Sequence, residues 1–273
     1  MTTKSNLHSH CTYCDGKSTI EEMVLAAIDA GLQSIGFSSH CPTGYSFDEC
    51  QVTDVEGYFA ELEQMRLKYQ DRIDIYKGME LESRINGEVR PAIDSRCDYS
   101  IGALHYFRTP DGFHPVDYIP KEWLAAKASV GSVQKLLEGY FEEFLSFAQD
   151  SSFDIIAHID LYTKFNEKDH LFDENEPWYQ NMALSYVDKF AATGKIFEVN
   201  TGAMSRGYRS IPYPAQFILR RLLALNAPII LSSDSHKADT ICFGFDKAEK
   251  MLKDIGFTSQ MRLTREGFVS VPL

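Results

Sequence analysis

Of the eight histidines in this chain, six stand where a short apolar run ends: His8 and His10, His40, His105, His158 and His236. Three carboxylates share that placement or lie just beyond it: Asp15, Glu80 and Asp234. Taken singly, each has an ordinary explanation, such as a satisfied structural histidine or, for Asp15-Gly16, a turn aspartate. Taken together, they have no structural reason to recur at the same end of separate elements. Imidazoles and carboxylates are ligands of borderline divalent cations, so the set reads as a metal centre suited to zinc, manganese, iron or cobalt. His8-Ser9-His10 adds geometry, because residues two apart on a strand point to one side and can chelate one ion. Asp234-Ser235-His236 repeats that spacing with a carboxylate and an imidazole.

The elements that would gather these residues follow from the hydrophobic pattern. Strands are expected at Ser5 to His10, Ser34 to Ser38, Ile73 to Glu80, Tyr99 to His105, Asp154 to His158, Lys195 to Asn200 and Pro228 to Ser232. Helical patterns lie between them. Ser18 with Glu21 has capping-box spacing ahead of Ile20, Val24, Ala27 and Ile28, with Gly31 as the stop. Thr53 with Glu56 caps a helix bearing Tyr58, Phe59, Leu62 and Met65. Further helices carry Val133 through Phe144, open near Pro177, run from Pro214 to Leu225, and run from Phe245 to Ile255 with Gly256 as the stop. Before Val133, an irregular stretch of roughly 25 residues is long enough to read as a lid or binding loop.

Seven strand-helix units favour parallel strands with helices outside, an α/β architecture most economically closed as a (β/α)7 barrel. The glycine-rich phosphate loops of an open doubly wound sheet, G-x-G-x-x-G and G-x-x-x-x-G-K-[ST], are missing. In a parallel barrel the carboxyl ends of the strands meet at one face, and there the nine side chains would converge.

Composition narrows the partners. With 44% hydrophobic and 24% charged residues, disorder and coiled coil are excluded. A formal charge of −12 without a basic stripe repels a phosphate backbone, so a small phosphomonoester is the expected partner and nucleic acid is not. No stretch approaches the roughly 18 apolar residues of a membrane span, and Met-Thr-Thr-Lys-Ser-Asn lacks a signal-peptide core, so a cytoplasmic protein is expected. Cys11, Cys14, Cys41, Cys50, Cys97 and Cys242 are too dilute for a disulfide framework and read as reduced thiols. The lone C-x-x-C of Cys11 and Cys14 reads as packing beside His10 and Asp15. With no repeat or linker, one domain over residues 1–273 is expected.

On these residues the chain resembles the polymerase and histidinol phosphatase (PHP) superfamily of metal-dependent phosphoesterases. That resemblance implies a distorted seven-stranded barrel with its metals at the C-terminal face of the strands. It runs through His8 and His10, Asp15-Gly16, Ser39-His40, Gly78-Met79-Glu80, Gly102-Ala103-Leu104-His105, His158-Ile159-Asp160 and Ser233-Asp234-Ser235-His236. In length and motif order the chain is most similar to the stand-alone histidinol phosphatases of that superfamily. The resemblance implies three divalent ions: one on His8, His10, Glu80 and Asp234, a second sharing Glu80 with His105 and His158, and a third on Asp15, His40 and His236. It further implies hydrolysis of L-histidinol phosphate to L-histidinol and phosphate in histidine biosynthesis, by in-line attack of a metal-bound hydroxide. His8, His10, Glu80, Asp234 and His236 would then stand at the reaction centre.

The residues support the same class of reaction. Three divalent ions, three carboxylates and a bridging hydroxide leave a surplus of about two positive charges, which suits a phosphomonoester dianion. Neighbouring metals lower the pKa of a shared water toward about 7, so no serine, cysteine or aspartyl nucleophile is needed. Arg206, after the sixth strand, is expected to grip the phosphate bidentately, with Arg209 and Lys164 as alternatives. Asp160 would orient a metal ligand or accept the substrate's ammonium, and His114 would protonate the leaving alkoxide. Rival readings are a phosphoesterase for another small ester or nucleotide, and a nuclease, which the acidic balance disfavours. A metal-dependent amidohydrolase leaves Asp15, His40 and His236 unexplained, and the filled ligand set disfavours a metal-stabilised binding module.

Overall fold

The computed structural model describes residues 3–43, 49–83, 95–150 and 152–273. Its strands are β1 (Ser5–Asn6), β2 (Ser34–Phe37), β3 (Asp74–Glu82), β4 (Tyr99–Ala103), β5 (Tyr106–Thr109), β6 (Gly112–Pro115), β7 (Ile155–Ile156), β8 (Ile196–Asn200), β9 (Ile229–Ser232), β10 (Ser259–Thr264) and β11 (Gly267–Pro272). Seven of them form one sheet in the order β1-β2-β3-β4-β7-β8-β9, with every neighbouring pair parallel. The ring is nearly closed by Ser9 and Ser235, which pair beyond the ends of β1 and β9. His10 N–H donates to Ser235 O at 2.8 Å, and Ser235 N–H donates to His8 O at 3.3 Å. The expected seven-stranded α/β barrel is the architecture found.

Helices cover the outside, so the strands are buried on both faces and read as apolar runs, as in Ile-Phe-Glu-Val-Asn of β8. The helices Ile20–Asp29, Val55–Lys68, Val133–Asp150, Pro177–Ala191, Gln216–Ala224 and Phe245–Ile255 answer the expected patterns. Two caps fall one residue later than expected. Thr19 and Glu22 form the first capping box, because Ser18 Oγ is engaged by Ala238 N–H at 3.1 Å. Asp54 caps the second helix through Gly57 N–H at 2.9 Å. No helix among the described residues is long and apolar enough to cross a membrane.

The stretch expected to be irregular after β4 is instead ordered. β5 and β6 form a hairpin across Pro110-Asp111, and the helix Pro120–Val130 follows. A second unexpected hairpin, β10 with β11, turns at Arg265-Glu266. It lies across the amino-terminal ends of the barrel strands: Gln260 bonds Leu231 N–H and Thr3 Oγ1 at 3.1 and 2.7 Å, and Arg265 pairs with Asp74 at 3.0 Å.

The barrel interior is a packed core, not a channel. Leu7, Tyr99, Ile101, Ala103, Ile155 and Ile230 fill it, and Leu263 of β10 closes its lower end. Tyr99 fits because its neighbours on β2 and β3 are glycines. A Cβ on Gly78 would stand 2.6 Å from the Tyr99 ring, and one on Gly36 would collide with its hydroxyl. Gly78→Ala should therefore overpack the interior and lower stability by about 1–3 kcal/mol, measured as a shift in urea midpoint at unchanged slope. An unshifted midpoint would show that the ring moves aside at no cost.

Candidate metal centre

Each candidate ligand is placed by the carboxyl end of a barrel strand. β1 stops at Asn6 and β7 at Ile156, earlier than expected, so His8, His10 and His158 lie beyond the ladder and not within it. Asn6 anchors the facing segment: its Nδ2 donates to Ser233 Oγ at 2.8 Å, and its Oδ1 accepts from Ser233 N–H at 3.1 Å. This holds Asp234 and His236 against the H-x-H pair. Asp234 itself sits at φ 48, a left-handed conformation that aspartate tolerates better than most residues and that collects at functional sites. Beneath it Gly202 has no room for a Cβ, which would stand 2.7 Å from Asp234 Oδ2. His40 pairs with Glu80 through the backbone, Cys41 N–H donating to Glu80 O at 2.9 Å and Glu80 N–H to Ser39 O at 3.2 Å.

All nine predicted ligands converge. Glu80 is their centre: Oε2 lies 3.4 Å from His8 Nε2, 3.6 Å from His10 Nε2 and 3.0 Å from His40 Nδ1. Its Oε1 lies 3.0 Å from His158 Nε2 and 3.5 Å from His105 Nε2. Asp234 Oδ1 stands 3.3 Å from His10 Nε2 and 3.6 Å from His8 Nε2, and Asp15 Oδ1 stands 3.3 Å from His236 Nε2 and 3.7 Å from His40 Nε2. Ligand atoms at about 2.0–2.1 Å around one tetrahedral ion would be about 3.3 Å apart, the scale of these separations.

Four overlapping groups each bring their ligand atoms within 4.8 Å of one another: His10-Asp15-His40-His236, His8-His158-Asp234, His8-His10-Glu80 and His40-Glu80-His105. These groups contain the third set the resemblance implies, Asp15, His40 and His236, and three members of the first, His8, His10 and Glu80, while His10 also joins the Asp15 group and His158 groups with His8 and Asp234. The reason is spatial: the rings of His10 and His236 stack with centroids 4.0 Å apart.

Charge balance tests whether a cation fits. His8 Nε2, His10 Nε2, Asp15 Oδ1 and Glu80 Oε2 are buried and make no hydrogen bond, an arrangement that is costly unless something satisfies these atoms. Burial works against an ionised Glu80, yet the His8, His105 and His40 imidazoles hold its carboxyl well below the usual range. Burial likewise opposes ionisation of Asp234, and Arg206 and His8 outweigh it. Burial, with His236 and His40 nearby, pushes His10 down to about 3, so its lone pair is available to a metal. Burial disfavours His105 as a cation, but Glu80 and Glu82 raise it to about 9. Against burial, Glu198 and Glu80 raise His8, and Glu80 raises His40, so the carboxylates draw positive charge into the cluster, which divalent cations would supply in place of the imidazole protons.

The centre forms one wall of a cavity of about 790 Å³, lined also by Arg206, Lys164, Lys17, Tyr106, Phe113, Tyr118 and Tyr208, a size typical of small-molecule sites. Arg206 lies on the cavity wall with NH2 donating to Asp234 Oδ2 at 2.9 Å. Lys164 is there too, held by Asp117 O and Oδ2 at 2.6 and 3.1 Å.

Three other candidates are placed differently. Asp160 does not line the cavity. Its Oδ2 accepts from Ala215 N–H at 2.8 Å, and burial pushes its carboxyl up to about 6, so it is a backbone brace and not an ammonium site. Arg209 is buried against Glu174 and Thr163 O, at 3.0 and 2.7 Å, where phosphate has no access. His114 is taken up by Glu122 and Asp111 at 3.4 and 3.3 Å and is absent from the cavity lining. Cys11 is buried, with its thiol raised to about 12 by desolvation, and Cys14 Sγ lies 3.5 Å from His10 Nδ1. Both pack beside the centre as expected.

Two buried carboxylates beside the candidate ligands were not singled out from the sequence. Glu82 Oε2 stands 3.0 Å from His105 Nδ1, and Glu198 Oε1 stands 2.5 Å from His8 Nδ1. Period-two alternation in Glu80-Leu81-Glu82 puts both acids on one side. An acid within the apolar run of β8 demands a buried partner.

A barrel whose carboxyl-terminal mouth gathers six imidazoles and three carboxylates defines a class, the metal-centred α/β barrels. The PHP domain family matches residues 6–202, and this chain belongs to it. The "Probable histidinol-phosphatase" of Schizosaccharomyces pombe is 28% identical over 274 residues, spanning 92% of this chain and 87% of its own. The histidinol-phosphatase of Bacillus subtilis is 22% identical over 264 residues, spanning 89% and 97%. The solved structure of histidinol phosphate phosphatase from Lactococcus lactis subsp. lactis, complexed with zinc, L-histidinol and phosphate, matches with a TM-score of 0.75. It is 20% identical and covers 98% of this chain and 99% of that one, a likeness of fold.

Proposed function

We propose that this chain is a metal-dependent phosphoric monoester hydrolase that converts L-histidinol phosphate to L-histidinol and phosphate. It acts in histidine biosynthesis, in the cytoplasm, as a single domain over residues 1–273. The observation that carries the reading is Glu80, whose two oxygens face five imidazoles within 3.6 Å, beside a cavity of small-molecule size. Family membership and the names of the relatives support the substrate.

Three divalent ions, drawn from zinc, manganese, iron or cobalt, are assigned to the nine ligands. Bound there, they supply Lewis acidity toward phosphoryl oxygens and a water nucleophilic near neutral pH. The chain's own residues hold and orient. Glu80 ties the ligand groups together, His8, His10 and Asp234 flank it, and His236 and Asp15 close the outer side. Arg206, whose NH1 and NH2 donate to Asp234 O and Oδ2 at 3.0 and 2.9 Å, turns its remaining guanidinium N–H groups to the phosphate, and Lys164 adds a second cation. Tyr106 and Phe113 line the part of the cavity left for the alcohol portion.

Phosphate release from histidinol phosphate and nucleotides, together with strand cleavage of single-stranded DNA, each with the four ions added in turn to purified protein, tests the reading. Histidinol phosphate should be turned over fastest; equal or faster release from nucleotides would sink the substrate assignment. Arg206→Ala should lower kcat/KM about 100-fold, equivalent to about 2.7 kcal/mol. Arg206→Lys should restore little, because an ammonium cannot reproduce the fork. Unchanged kcat/KM, with metal content measured in parallel, would remove Arg206 from phosphate binding.

A further inference from the structure

We propose that Glu198, a buried acid of β8 that does not line the cavity, is a positioning residue that fixes the ring of His8 so that Nε2 faces the metal. The inference rests on the metal centre proposed above. Glu198 collects four donors on its two oxygens. Oε1 accepts from His8 Nδ1 at 2.5 Å and Ser232 Oγ at 2.6 Å. Oε2 accepts from His158 N–H and Asn200 Nδ2, both at 2.9 Å. Asn200 cannot turn over, since its Oδ1 accepts from Gly202 N–H at 2.8 Å. A carboxylate offers no proton, so the single proton of a neutral His8 must lie on Nδ1, leaving the Nε2 lone pair toward Glu80 and Asp234. A carboxylate in this place also makes the ligating nitrogen more basic.

Within the H-x-H pair the arrangement belongs to His8, while Glu82 stands to His105 Nδ1 in the same way, at 3.0 Å. His10, its partner in that pair, has among the described residues only Cys14 Sγ at 3.5 Å and Asp15 Oδ1 at 3.9 Å near Nδ1. Glu198 is not itself in a ligand group, and the His8 ring separates it from them. The same carboxylate joins four places on the barrel rim: the segments after β1 and β7, and the strands β8 and β9. It therefore sets where His8 sits and which nitrogen it presents.

Glutamine at this position discriminates between positioning and packing. With its oxygen toward His158 N–H and Asn200, its NH2 would face His8 Nδ1 and force the proton onto Nε2, against the metal. Zinc affinity, read by competition with a chromophoric chelator, should fall about 10- to 100-fold in Glu198→Gln. In a His8→Asn background the same substitution should change affinity by no more than about 2-fold. Equal losses in both backgrounds, or none in either, would overturn the proposal in favour of a purely structural knot. If Glu198→Gln does not fold, nitrogen NMR of the zinc-loaded parent decides: His8 should carry its proton on Nδ1, and a proton on Nε2 overturns the assignment. A parent protein that takes up no zinc refutes the metal centre itself, and the proposal falls with it, an outcome distinct from either of the others.

Discussion

Glu80→Gln should lower kcat for histidinol phosphate by at least about a thousandfold, close to 4 kcal/mol of lost transition-state stabilisation. The substitution keeps the shape of the side chain and removes the charge that five imidazoles face. The backbone of Glu80 is held independently, by its pairing with Ile101 in β4 and by the bonds to Ser39 and Cys41. The thermal midpoint of the metal-free protein should accordingly stay close to that of the parent. Metal content per chain should drop, because the carboxylate that spans the ligand groups is the one changed. Turnover within a few-fold of the parent would eliminate Glu80 as the link between ions.

Removal of the ions should have the second large effect. Exhaustive chelation should bring phosphatase activity to background, and readdition of zinc or manganese should restore it. Stability should follow, because ions that bind only the folded chain stabilise it by mass action, about 4 kcal/mol at a free concentration a thousand times Kd. The unfolding midpoint should rise on metal addition and depend on metal concentration. Full activity after chelation, with no metal detected in the protein, would contradict the hydrolase reading at its root.

The site was legible because its residues carry chemistry that their neighbours do not. Histidines closing apolar runs remain visible even when the strand is misjudged: β1 and β7 are two residues each, yet the ligands after them stand where a barrel mouth requires. Capping was less legible because Ser18-x-x-Glu21 and Thr19-x-x-Glu22 both satisfy the pattern, and only the distant Ala238 amide decides between them. The two hairpins were missed for different reasons. Pro110-Asp111-Gly112 is a turn signal that the stretch before Val133 was too polar to recommend, whereas residues 259–272 follow a glycine that closes the last expected unit. Glu198 needed its partners to be seen, because a carboxylate inside a strand has meaning only through what it touches. Arg209 and Asp160 show the converse: a charged residue near a motif was drawn into packing by Glu174 and the Ala215 amide.

The hairpin of β10 and β11 lies across the amino-terminal ends of the barrel, and the interior above it is packed with Tyr99, Ile101 and Leu263. Among the described residues the cavity therefore has no way out through the barrel to that end. Ester, alcohol and inorganic phosphate must share one doorway, so a phosphate lingering beside Arg206 obstructs the next arrival. Competitive inhibition by that anion would then be a consequence of the plumbing as much as of affinity.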